Sequence, residues 1–212
     1  MSEKKSVLRD AKRRAVQDEV AAIAIRLFAE QGYDTTTVDQ ITQAAGLSQR
    51  SFFRYFAGKD DVMGHAFAAT GADIAAALAD RPARERPWLA LRRAFDKLIN
   101  QLSGDDRGLE VMRMIYETPS LHAAQLRKEA LWRVGIAESV APRLPSGLTA
   151  DERRVQAGAL AAAAVASFEW ARGEWVACDG TTPLDQLVDS AMDVVSRLDP
   201  RPESASASNG RG

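Results

Sequence analysis

TTTVDQITQAAGLSQRSFFRYFAGKD, residues 35–60, carries the punctuation of two short helices joined by a tight turn. Thr36 or Thr37 can cap the first helix, because a threonine oxygen accepts from a free N–H of the first turn. Asp39 and Gln40 stand three residues later, at the spacing of a capping box. Val38, Ile41 and Ala45 then share one face. Gly46 falls where the chain must leave a helix in the left-handed conformation. Ser48 is a second cap, and residues 49–56 form the second helix. Leu47, Phe52 and Phe56 can pack back on Ile41, which turns Gln49, Arg50, Phe53 and Arg54 outward. This is the layout of a helix-turn-helix, whose second helix enters the major groove of DNA. The outward residue types suit that role. Arginine bonds a guanine edge at two points, glutamine does the same to adenine, and Ser51 is a short donor. The same spacing also fits an ordinary helical hairpin with a solvated polar face.

Working outward, residues 14–30 place Val16, Val20, Ile23, Ala24 and Leu27 on one stripe, and Gly32 ends that helix. Packed across the hairpin, it completes a three-helix head. Residues 1–14 carry six basic side chains against two acidic ones, a net of +4 in a chain of net charge −1, so residues 1–13 read as a basic flexible arm beside the reading head. On the other side, Lys59, Asp60 and Asp61 open a helix that ends near Asp80, with acids in the first turn where the helix dipole favours them. It starts at the head and runs into the rest of the chain, so it is the natural mechanical link. Further helices are expected over 88–102, 109–118, 119–141, 150–177 and 183–198, separated by segments containing Pro82, Pro87, Pro142, Pro145, Gly147 and Gly180. Thr149 caps the fourth of these, and Pro183 sits at the first position of the last. No stretch alternates at period two. The fold class is all-α, about nine helices: a head with a helix-turn-helix and a C-terminal helical bundle. Residues 199–212, rich in Pro, Ser, Ala and Gly, read as a disordered tail.

The head resembles the TetR family of bacterial transcriptional regulators. The resemblance rests on Ala29-Glu30-Gln31-Gly32-Tyr33, Thr36-Thr37-Val38, Ile41, Ala44-Ala45-Gly46-Leu47-Ser48, Ser51-Phe52-Phe53, Tyr55-Phe56 and Lys59-Asp60, and covers about residues 14–64. Where the family usually has Gly-Thr-Leu-Tyr in the recognition helix, this chain has Arg50-Ser51-Phe52-Phe53, which leaves the fold in place and changes the bases read. The resemblance implies a DNA-binding domain over 14–58 and an effector-binding and dimerisation domain over 59–198. Thr36, Thr37, Gln49, Arg50, Ser51, Phe53, Arg54, Tyr55 and Lys59 are then the expected DNA contacts, Thr37 and Tyr55 at positions where the family touches phosphate.

The middle helices carry bulky side chains, any one of which is most simply core. The resemblance implies an effector pocket among them, and Met63, Phe67, Trp88, Leu91, Phe95, Met112, Ile115, Tyr116, Leu126, Trp132 and Phe168 are its candidate lining, with Tyr116 and His122 as orienting groups. The effector is expected to be mostly apolar; the FFRYF variant resembles a branch of the family with lipophilic or acyl-CoA-like effectors. The last two helices carry apolar stripes that fit either burial within one chain or an isologous dimer face, and the resemblance favours the second. Leu160, Ala164, Phe168, Trp175, Leu184, Leu187, Val188, Ala191 and Val195 are the candidate interface, with Leu198 continuing the stripe.

Cys178 is the only cysteine, so no intrachain disulfide or thiolate cluster forms, as suits a reducing compartment. His65 and His122 have no companions at metal-ligand spacing, and no cofactor or metal is expected. The N-terminus has no signal-peptide core, and the apolar run at 157–168 is shorter than the ~20 residues of a membrane span. These features point to a cytoplasmic protein with no membrane partner. No phosphate loop, nucleophile elbow or acid-base pair supports an enzyme built on the apolar helices. A helical interaction module that has lost DNA binding is disfavoured by Arg50, Arg54 and Lys59. The expected function is a repressor that binds a pseudo-palindromic operator in duplex DNA as a homodimer and is released by a small effector.

Overall fold

The computed structural model describes residues 2–104 and 106–197, with the backbone alone for 2–8, 66–69 and 106. The expected disordered tail and Leu198 lie outside the described residues. Ten α-helices follow in order: α1 Ser2–Gln31, α2 Val38–Ala44, α3 Gln49–Tyr55, α4 Lys59–Ala79, α5 Pro87–Ala94, α6 Asp96–Ser103, α7 Asp106–Glu117, α8 Pro119–Val140, α9 Ala150–Ala177 and α10 Leu184–Arg197. A 3-10 turn, Ala141–Arg143, follows α8, and no strand occurs among the described residues. α5 and α6 are the halves of the single helix expected over 88–102. At Phe95 the amide reaches back only three residues, to Arg92, and the ring stacks on Phe168 at 4.6 Å. With α5 and α6 taken as one broken helix, the described residues carry the expected nine. Residues 2–13, expected as a flexible arm, instead continue α1 as helix.

The caps fall as the sequence dictates. Thr37, not Thr36, caps α2: it accepts from the Gln40 amide while the Gln40 side chain accepts from the Thr37 amide. α2 ends with the Leu47 amide bonded to the Thr42 carbonyl and the Gly46 amide to that of Gln43, and Gly46 stands at φ +63°. This is the six-residue closure that a left-handed glycine permits. Ser48 accepts from the Ser51 amide to start α3, and Thr149 forms a full capping box with Glu152 at the head of α9. Pro183 lies one residue ahead of α10, its carbonyl accepting from the Leu187 amide.

α4 is the spine. By length and hydropathy it matches a membrane-crossing helix. Here Val62, Met63, Ile74 and Leu78 are buried among its neighbours, α8 most extensively, then α1 and α5. Both ends are held by cations. Arg143 donates to the Leu78, Arg81 and Pro82 carbonyls at 2.6–2.7 Å, satisfying the end of α4 where carbonyls lack helical partners. Lys59 does the equivalent at the other end, as described below.

The α4–α8 contact is set by Gly71. A Cβ at this position would stand 2.0 Å from Cδ1 of Trp132, so only the missing side chain lets the indole lie against α4. Gly135, on the same pair of helices, has only the Ala75 methyl near, at 3.8 Å. Opposite outcomes are therefore expected in urea unfolding. Gly71→Ala should destabilise by about 1–3 kcal/mol through overpacking. Gly135→Ala should be neutral or stabilising by up to about 1 kcal/mol through helix propensity.

Candidate DNA-reading head and ligand cavity

The head is built on Phe28, Ile41, Phe52 and Phe56, all buried, with Leu47 half-buried beside them. Pinning Phe52 and Phe56 inward fixes the rotation of α3. Gln49, Arg50, Phe53 and Arg54 are all exposed as a result, Phe53 to 54%. Among the described residues, the ring contact of so large an exposed aromatic is the edge of Phe52. Arg54 lies over the Tyr55 ring, 4.8 Å from its centre, and donates to the Tyr55 hydroxyl at 3.0 Å. Gln49 donates to the Asp39 carboxylate, which holds the start of α3 against α2. Thr37 is exposed at the α2 cap, and Ser51 is half-buried beside the Ser48 hydroxyl.

Two expected DNA contacts are placed elsewhere. Thr36 is buried, its hydroxyl donating to the Gly32 carbonyl at 2.7 Å, so it closes the α1–α2 loop and does not face outward. Lys59 is half-buried, and its ammonium donates to the Tyr33 and Thr36 carbonyls at 2.7 and 2.8 Å while lying 4.5 Å from the centre of the Tyr33 ring. Its donors are committed to the loop and do not project toward a phosphate. The neighbouring Asp60 accepts from the Tyr33 hydroxyl, and burial together with that carboxylate pushes the phenol well above its usual range. The loop between α1 and α2 is thus fastened to the first turn of α4. Within the head, Gln17 of α1 donates to the Tyr55 carbonyl at 3.3 Å; a further tie between head and body is His65 of α4 meeting Asp18 of α1 at 2.7 Å.

A cavity of about 300 Å³ lies directly behind this junction. Of the expected lining, Met63, Met112, Ile115 and Trp132 are there. The side chain of Phe67 is outside the described residues. The other expected residues serve different ends. Leu91, Phe95 and Phe168 are core, the last two stacked on each other. Trp88 lines a surface groove beside α10 and donates to the Met192 carbonyl at 3.1 Å. Leu126 is on the surface. Tyr116 donates to the Glu169 carbonyl at 3.0 Å, burial pushing its pKa up to about 12, and its ring meets His122 at 4.7 Å away from the cavity. Sequence reasoning missed, besides Ile25 of α1 and the polar wall made by Gln125 and Arg172, the exposed Arg107 of α7. Gln125 lies one helical turn from Glu129, to which it donates at 3.0 Å, and Arg172 of α9 donates to the same Glu129 oxygen. All three are at most 2% exposed. The i, i+4 spacing of Gln125 and Glu129 was a visible signal; the Arg172 partner, 43 residues from Glu129, was not.

The C-terminal helices also divide differently from expectation. Ala164, Phe168, Trp175, Leu184 and Val188 are buried within their own chain, because they form the seam between α9, α10 and the bundle. Leu160, Leu187 and Ala191 are half-buried, and Val195 is exposed. The outward face consists of Val155, Ala159, Ala163, Ala166 and Trp170 along α9, with Leu187, Ala191, Val194 and Val195 along α10. Trp170 is 66% exposed.

An all-α head with an outward basic recognition helix, joined by a long helix to a bundle with a cavity, defines a helix-turn-helix regulator. The sequence comparisons agree. Residues 22–66 match the pattern of bacterial regulatory proteins of the tetR family, and residues 85–199 match the MftR C-terminal domain. The HTH-type transcriptional regulator TcmR of Streptomyces glaucescens is 35% identical over 174 residues, 77% of this chain and 76% of that protein. MftR of Mycobacterium tuberculosis is 32% identical over 183 residues, 83% and 87% of the two chains. Among solved structures, the regulator FadR of Bacillus subtilis in complex with stearoyl-CoA superposes with a TM-score of 0.57 at 16% identity, covering 84% of this chain and 96% of that one. The chain belongs to the TetR family: it is a DNA-binding transcriptional regulator and not an enzyme.

The placement of Lys59 yields a discriminating pair of variants. Lys59→Ala should lower the unfolding free energy by about 1–3 kcal/mol, because charged hydrogen bonds to buried carbonyls are lost. Arg50→Ala should leave stability unchanged and cost roughly 1–3 kcal/mol of binding to a specific site, relaxing its sequence preference. Thermal unfolding and binding to a labelled duplex check the two.

Proposed function

We propose that this regulator is a ligand-released repressor, acting in the cytoplasm, that binds a pseudo-palindromic operator as a homodimer. The observation carrying the proposal is the position of the cavity. It is bordered by Ile25 of α1 and Met63 of α4, the two helices fastened to the recognition unit, and by α6, α7, α8 and α9 on its other sides. Two heads engage one face of B-DNA only when their recognition helices stand about 34–36 Å apart. A ligand that displaces α4 or α1 relative to α8 changes that spacing. It acts only through its differential affinity for the two arrangements, so operator and effector weaken each other's binding by the same factor.

In this reading Gln49, Arg50, Ser51 and Phe53 face the groove. Thr37, Arg54 and Tyr55 face the backbone beside it, and Arg9, Lys12, Arg13 and Arg14, exposed on α1, add phosphate attraction. The dimer forms through α9 and α10. Alanines between Val155 and Trp170 let two copies of α9 approach closely, and a four-helix bundle from two protomers covers the exposed Trp170 and Val194. The FadR fold neighbour carries stearoyl-CoA, whose acyl chain supports an effector with an apolar part. A volume of about 300 Å³, at the lower end of small-molecule sites, favours a compact one.

Interface and core residues of α9 and α10 are separable by experiment. Trp170→Glu, on the outer face, should give a folded monomer in sedimentation with operator binding lost. Val188→Asp, in the seam, should unfold the bundle. A Trp170→Glu protein that remains dimeric places the interface elsewhere.

A further inference from the structure

Inside the cavity wall, two buried polar atoms have no hydrogen-bond partner among the described residues: Oε1 of Gln125 and Nε of Arg172. Both residues line the cavity, and both are already anchored, by their other polar ends, to one oxygen of Glu129. The amide orientation of Gln125 is fixed by that anchor. Turning it would set its oxygen against a carboxylate oxygen, so the free atom is an acceptor. The free atom of Arg172 is an N–H donor. The charge of Arg172 is balanced by Glu129, so this buried part of the wall offers one donor and one acceptor with no net charge, while Arg107, which also lines the cavity, is exposed. Leaving buried polar atoms unpaired is costly, and native interiors rarely do so without a reason.

We infer that the cavity recognises a compact, apolar, uncharged ligand bearing a hydroxyl, which accepts from Arg172 Nε and donates to Gln125 Oε1. This rests on the reading of the cavity as the effector site and names the effector's chemistry. A hydroxyl satisfies both atoms at once. At this buried pair a carboxylate satisfies Arg172 only and turns a second negative oxygen toward Gln125 Oε1 and Glu129, away from water. A pure hydrocarbon leaves both atoms unpaired.

The test uses three matched probes on the full-length protein: 2-naphthol, naphthalene and 2-naphthoate, titrated by calorimetry near pH 7. Naphthol is expected to bind about tenfold or more tighter than naphthalene, the factor two modest hydrogen bonds provide, and tighter than naphthoate. In Gln125→Leu the naphthol preference should collapse toward that of naphthalene, while naphthalene binds as before. Because that variant also removes a bond to Glu129, the wild-type ranking stands as an independent measurement. Naphthol and naphthalene binding equally, or naphthoate binding tightest, overturns the inference and leaves the cavity as a ligand site. If no probe binds, the cavity reading falls, and this inference with it.

Discussion

One ammonium group sets the mechanics of this protein. Lys59 is the first residue of α4, yet its side chain reaches back to carbonyls of the α1–α2 loop. A lysine has three donors and no acceptor. Once they are given to carbonyls that no helix satisfies, the loop and the start of α4 cannot separate without leaving polar groups unpaired. Tyr33 and Asp60 add a second bond across the same junction. The head is therefore not tethered to α4 by a flexible peptide; it is the end of α4. At the opposite end Arg143 holds the last carbonyls to the 3-10 turn after α8. A helix clamped at both ends and contacting a cavity in its middle transmits displacement along its length.

In the proposed switch, the cavity lies where that displacement starts. Gly71 lets the Trp132 indole rest on α4, and Trp132 is also part of the cavity wall. A ligand that presses on the indole presses on α4 directly, since the contact leaves no space to absorb a shift. Opposite, the Glu129–Arg172 pair joins α8 to α9, the helix that bears the outward Trp170. One chain of contacts thus runs from the proposed dimer face, through the cavity, to the recognition helix.

The head was legible in the sequence because its signals are local. Caps, the Gly46 closure and the spacing of Phe52 and Phe56 act within one or two turns, and they fix which side of α3 faces outward. Lys59 was misjudged for the complementary reason. An exposed-looking cation near a recognition helix reads as a phosphate contact, and only three dimensions bring it onto carbonyls more than twenty residues earlier. The body was legible as helices but not as faces. Apolar stripes on α9 and α10 cannot say which neighbour they meet, and the stripe containing Phe168 and Val188 was spent on the chain's own seam. The cavity wall held the same lesson: bulky apolar residues such as Phe95 and Leu91 went to the core, where burial is most favourable, and the lining includes the buried polar pair Gln125 and Arg172 beside Met63, Met112 and Trp132.

Filling the cavity should move the recognition helices relative to each other, and on that motion the proposed switch stands or falls. Spin labels at Phe53→Cys in a Cys178→Ser background, one per protomer, report the separation by pulsed electron resonance. The free dimer should show distances that include the one-turn spacing of about 34–36 Å, and the population should leave this spacing when 2-naphthol saturates the cavity. A saturated cavity with an unchanged distance distribution would contradict the switch.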